Sequence, residues 1–145
     1  MTSVDDELLI SIRPSFADAI FNGSKTVEIR RRIPSIKLGV RLWIYVTKPV
    51  GEVRGVARVA DIIKGEPDVI WHACGSRTGL SRSDFDDYLD GSATAYGIVL
   101  RDVEVGRPVS IAALKMLRPN FHPPQVATRL TCAEAEELRR HFLPA

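Results

Sequence analysis

Three charged side chains stand close together early in the chain: Lys25, Glu28 and Arg30, preceded by Gly23. A glycine lets the backbone turn sharply and approach a ligand closely. Lysine presents a compact positive charge, and arginine a planar fork of donors suited to phosphates and base edges. An ionised Glu28 between them has two acceptor oxygens, enough to hold both cations or to accept from an exocyclic amine. If the chain is an enzyme, Lys25 and Glu28 are the catalytic candidates, with Glu28 as general base toward a water. On spacing alone, an ordinary strand-face ion pair worth about 0–1 kcal/mol accounts for the same residues.

Further candidates lie nearby in sequence. Arg13 immediately precedes Pro14 and is biased toward extended backbone there. Tyr45 and Thr47 share one face of an alternating segment, where Tyr45 could stack on a base for about 1–3 kcal/mol. Trp43 is on that face too and is read as packing. Arg31 and Arg32, with Lys37, suit a phosphate-positioning edge better than specific readout. Gln125 follows two prolines and is a candidate to be pinned into the same site. Trp71, His72 and Cys74 are close in sequence, but His72 has no partner at ligand spacing, and His122 and His141 are isolated. A zinc site needs three or four ligands, so neither a metal nor a cofactor is expected. Cys74 and Cys132 stand alone and are read as unpaired thiols.

The elements that must position these groups follow from periodicity. Leu8 to Ile12 reads as a strand, and Pro14 opens a helix carrying Phe16, Ala17, Ile20 and Phe21 at helical spacing. Asn22 and Gly23 stop it. Thr26 to Arg31 alternates, with Val27 and Ile29 core-directed and Glu28 and Arg30 opposite. Val40 to Thr47 and Glu52 to Ile63 are further strands, the latter with Gly55 marking a bulge. Pro67 to Cys74 reads as a helix, Ser83 with Asp86 as the cap of another, and Thr94 to Val103 as a strand. Ile111 to Leu117 fits helix or strand. Thr131 with Glu134 forms a capping box for a last helix with Ala135, Leu138 and Phe142 on one face. Strands that follow one another without long intervening helices exclude a doubly wound sheet. They predict an α+β fold: a small β-barrel of five or six mostly antiparallel strands with short flanking helices.

Length and composition fit one globular domain. The chain has 145 residues, 45% hydrophobic and 26% charged, and the expected division is a single unit over 1–145. Its longest apolar run, Leu42 to Val46, is far shorter than the roughly 20 residues of a membrane helix. The acidic start through Glu7 does not resemble a secretory signal, so the expected compartment is cytoplasmic. Net charge is +2, yet residues 25 to 41 hold six basic side chains against Glu28 alone, a local +5, leaving −3 for the remainder. Such asymmetry draws phosphates and predicts a basic cleft whose affinity falls steeply with salt.

Ser11-Ile12-Arg13-Pro14, the run from Ala19 to Arg30, and the block from Leu42 to Val50 with Gly55 after it together resemble the ASCH domain family of the PUA-like superfamily. The family signature G-x-K-x-x-E-x-R is carried here by Gly23, Lys25, Glu28 and Arg30. Phe85, Tyr88, Gly91, Tyr96 and Pro123-Pro124-Gln125 are also similar to family features. The resemblance covers about 8–126, leaving 127–145 as a helical extension. It implies a PUA-like barrel with a cleft at one end, and an RNA-linked role. The expected partner is RNA or a modified nucleoside, bound by Arg13, Lys25, Glu28, Arg30, Tyr45, Thr47, Arg31 and Arg32. The alternative is a small hydrolase, of the N4-acetylcytidine amidohydrolase type or a ribonuclease. Amidohydrolases of this kind place a threonine nucleophile where this sequence has Glu28, and Thr26 lies two positions earlier.

Overall fold

The computed structural model describes residues 6–142; the start of the acidic N-terminal segment, through residue 5, and the end of the helical extension, 143–145, lie outside the described residues. β1 (Glu7–Ile12) leads through Arg13 into α1 (Pro14–Phe21), with proline in the first turn and Arg13 extended at ψ 148°. Gly23, at φ +86°, reverses the chain into β2 (Val27–Arg30). There follow β3 (Arg41–Val46), β4 (Glu52–Gly65), α2 (Pro67–Cys74), a 3-10 turn at Gly75–Arg77, and α3 (Arg82–Tyr88). The described residues continue with β5 (Ala95–Ser110), α4 (Ile111–Leu117), β6 (Thr128–Arg129) and α5 (Cys132–Phe142).

All six strands form one sheet, in the order β2-β5-β4-β3-β1-β6. It curls into a half-barrel, the expected α+β architecture. The pairings are antiparallel except β1 with β3. Parallel neighbours need a crossover, and the stretch through α1 and β2 supplies it. The register shifts once between β3 and β4 and three times between β4 and β5. Bulges of this kind bend and twist a sheet. At the bend on Gly55 a Cβ would lie 2.3 Å from the Phe21 ring, so only glycine lets α1 seat there.

Three apolar cores divide the work. Inside the curl, Ala17 and Ile20 of α1 meet Leu8, Ile10, Ile12, Leu42, Ile44 and Val59. On the opposite face of β1 and β3, Leu9, Trp43 and Tyr45 lie under Leu114 of α4 and Leu138 and Phe142 of α5. Val27 and Ile29 of β2 pack with Ile70, Cys74 and Phe85 of α2 and α3. Strands β1 and β3 are thus buried on both faces, which is why their sequences are nearly all apolar. No helix among the described residues is long and apolar enough to cross a membrane.

Several boundaries differ from the sequence reading. The cap of α3 is Ser81, whose hydroxyl accepts from the Asp84 amide at 3.1 Å, not Ser83, which lies inside the helix. β5 runs on to Ser110, because its far end still finds a partner in β4. Residues Ile111–Leu117 are helical, capped by the Ser110 hydroxyl. The capping box forms as expected: Glu134 Oε1 accepts from the Thr131 amide at 2.8 Å, and the Thr131 hydroxyl accepts from the Glu134 amide at 3.2 Å.

Candidate functional site

The half-barrel leaves a gap between its two edges, and the signature residues fill it. Lys25 is placed by the turn after α1, where its amide donates to Ala19. Its side chain then runs inward beneath Gly79, whose φ of +71° brings the backbone over it. The side chain is 2% exposed. It donates to the Thr78 carbonyl, lies 3.2 Å from Glu28 Oε1 and sits 5.3 Å from the centre of the Phe16 ring. Desolvating such a charge costs several kcal/mol, and these three partners offset that cost.

Glu28 divides its oxygens. Oε1 faces Lys25, and Oε2 accepts from Arg30 Nε at 2.9 Å. The carboxylate therefore holds both cations, one of the two roles its position allowed. Arg30 spends the rest of its fork on backbone: Nη2 donates to the Ser11 carbonyl at 2.5 Å and Nη1 to the Gln125 carbonyl at 3.3 Å. It is a clip between β2, β1 and the Pro123–Gln125 strap rather than a cation left over for a ligand.

The cleft around this network measures about 880 Å³, within the usual range for a small-ligand site. Its walls are the end of β1 and start of α1 (Ser11, Ile12, Arg13, Phe16), β2, Thr47 past the end of β3, the α3 face with Asp84, Asp87 and Tyr88, and the strap. Arg13 is exposed on this lining and makes no ion pair among the described residues.

The structure thus brings Arg13, Lys25, Glu28, Arg30, Thr47 and Gln125 together. It does not bring Tyr45, Arg31 or Arg32. Tyr45 is 3% exposed and belongs to the core under α4 and α5; burial pushes its phenol pKa up from the ordinary value. The face of β3 that the alternation assigned to a ligand is covered by helices instead. Trp43 packs there as expected, edge-on to Phe142 at 5.1 Å, with its indole N–H donating to Glu7 at 2.8 Å. Arg31 binds the Tyr88 carbonyl through Nε and Nη2, at 2.8 and 2.5 Å, closing the end of α3. Arg32 and Lys37 are exposed and off the cleft lining. Thr26 is off it too, its hydroxyl accepting from Arg77 at 3.0 Å.

Nor is the cleft basic. Its lining holds three cations, Arg13, Lys25 and Arg30, against three carboxylates, Glu28, Asp84 and Asp87. The local +5 of the sequence disperses because Arg31 turns to α3 and Arg32, Lys37 and Arg41 lie off the cleft lining. Ser11, Phe16, Asp84, Asp87 and the prolines of the strap were not foreseen as site residues; the spacing of Asp84 and Asp87, three apart on a helix, was the one available signal.

Comparison with known proteins follows the same lines. The ASCH domain model matches residues 10–105. The chain is 42% identical over 140 residues to an ASCH domain-containing ribonuclease of Zymomonas mobilis, covering 95% of each chain. It is similar to the crystal structure of ASCH from Zymomonas mobilis, with a TM-score of 0.91 at 40% identity, over 95% of this chain and 96% of that one. The N-terminal domain of Staphylothermus marinus McrB shares the fold alone, with a TM-score of 0.59 at 9% identity over 95% of both chains. On the family match and the Zymomonas relative together, this chain belongs to the ASCH domain family.

Proposed function

We propose that the cleft binds single-stranded RNA, seating one nucleotide between the β2 edge and α3. The observation that carries this reading is the buried Lys25–Glu28–Arg30 network forming the floor of an open cavity of about 880 Å³, with Arg13 exposed on its lining. Such a floor is held rigid by its own contacts, so a planar ligand meets fixed dipoles and pays little to order them. Single-stranded nucleic acid offers unstacked base edges to such a pocket. The 42% identical ribonuclease of Zymomonas mobilis supports RNA as the ligand class. With Arg13 the one cation on the lining without an ion-pair partner among the described residues, affinity falls gently with salt rather than steeply, since each neutralised phosphate adds only about −0.7 to the slope. Binding of labelled single-stranded RNA, followed by fluorescence anisotropy, tests this: Arg13→Ala weakens it, and no binding by the unaltered protein ends the reading.

A second reading, cleavage of the bound RNA, is supported by the same relative. Attack by a 2′-hydroxyl on the adjoining phosphate forms a 2′,3′-cyclic phosphate and breaks the bond to the 5′-oxygen, so it needs a group to take the 2′ proton, an acid to protonate the departing 5′-oxygen, and positive charge beside the phosphorane. Among the described residues Asp84 and Asp87 are cleft carboxylates without an ion-pair partner, and Arg13 is the exposed cation beside them on the lining. Incubation with natural and 2′-O-methyl RNA separates the readings: products from the first substrate alone support cleavage, and intact RNA in both leaves binding only.

A further inference from the structure

Behind the Pro123–Gln125 strap lies a second cavity of about 740 Å³, which shares those three residues with the cleft. Its polar lining comes from Arg118, Asn120, His122, Gln125 and Thr128, and among the described residues no carboxylate lines it. The two cavities flank one strap, and their electrostatics differ: the cleft has an acidic wall, while the groove offers donors.

Arg118 is held ready in this groove. Its guanidinium lies 5.4 Å from the centre of the Phe121 ring, and Nη2 donates to the buried Glu134 carboxylate at 2.5 Å. Phe121 is itself anchored in the core. Arginine carries five N–H donors, and one contact to Glu134 leaves the others for a ligand. Preordering of this kind lowers the cost of binding. His122 is exposed on the same lining and donates from one ring nitrogen when neutral and from both when protonated.

Direction follows from charge. A polynucleotide that seats one base in the cleft must route its phosphates away from Asp84 and Asp87 on the α3 wall. The strap side leads to a lining without carboxylates. Resting on the RNA-binding reading of the cleft, we propose that the groove behind the strap is a second nucleotide subsite, which takes the phosphodiester and sugar adjoining the nucleotide in the cleft. Asn120, His122 and Arg118 are its phosphate donors.

Calorimetric titration of the full chain with cytidine and with a 2′-O-methyl cytidine dinucleotide tests the subsite. The dinucleotide binds about tenfold tighter, the value of one charge-assisted hydrogen bond set. In the Asn120→Ala/His122→Ala double variant most of that gain is lost, and Arg118→Gln, which retains a donor toward Glu134, loses part of the gain. Equal affinity of the two probes for the unaltered protein, or an undiminished gain in the double variant, overturns the subsite while leaving the cleft reading intact. If neither probe nor longer single-stranded RNA binds, both readings fall together.

Discussion

The guanidinium of Arg30 reaches from β2, one edge strand of the sheet, to the Ser11 carbonyl on β1 near the other edge, at 2.5 Å. The half-barrel is thus drawn together by a side chain where no strand ladder closes it. The same fork holds Glu28 and the strap at Gln125. One residue therefore sets both the width of the cleft and the position of its cover.

Replacing Arg30 tests that role. Lysine keeps the charge but cannot reach three acceptors in three directions. Arg30→Lys is expected to cost about 1–3 kcal/mol, since hydrogen bonds to charged groups contribute on that scale and two carbonyls lose a partner. Urea unfolding measures the loss. Hydrogen exchange in the strap, around Gln125, rises in the same variant. Unchanged protection there would mean that the strap is held by its prolines alone.

Glu28 and Lys25 stand or fall as a pair. Glu28→Ala leaves a buried ammonium facing only a carbonyl and an aromatic ring, at an expected cost of about 3–5 kcal/mol. Replacing both, as Lys25→Met/Glu28→Leu, removes the charge along with its partner and recovers much of that loss, although Arg30 then lacks one acceptor. Chemical denaturation of the three proteins checks the order. Should the single and double variants be equally unstable, the pair is not coupled as the 3.2 Å contact requires.

The acidic wall makes a prediction about binding rather than stability. Asp84 and Asp87 are exposed on the α3 face of the cleft, so their charges oppose an approaching phosphate through water. Asp84→Asn/Asp87→Asn is expected to raise affinity for single-stranded RNA about threefold to tenfold at low salt, and the advantage shrinks as salt screens it. Anisotropy titrations at several salt concentrations measure both effects. An affinity that falls instead assigns the carboxylates a direct contact with the base.

How far the sequence shows this arrangement depends on what sets each feature. Alternation in β2 fixes the faces correctly, because Val27 and Ile29 have a core only on one side. The same rule misleads for Tyr45. Alternation distinguishes two faces but not whether each is open, and α4 and α5, which cover the second face of β3, come from residues 111–142. The local excess of positive charge likewise says nothing of direction: Arg31 is drawn to the end of α3 by the Tyr88 carbonyl, a contact between segments distant in sequence. Asp84 enters the cleft by the same long-range packing. What is legible is local: the turn at Gly23, the capping box at Thr131, and the spacing that allows one carboxylate to hold Lys25 and Arg30.

Tyr45 gives the last prediction, one of pH. Burial beneath α4 and α5 raises its phenol pKa above the ordinary value near 10. The folded state therefore holds the proton more tightly than the unfolded chain does. Its contribution is fully present below the unfolded pKa and is lost as pH rises through the folded one. Stability measured by thermal melting between about pH 8 and 11 is expected to decline over the alkaline part of that range. Tyr45→Phe keeps the ring in the core and has no proton to lose, so its melting temperature falls less across the same interval. A parallel decline in both proteins would show that other groups govern alkaline unfolding, and that the hydroxyl of Tyr45 meets solvent more readily than its burial implies.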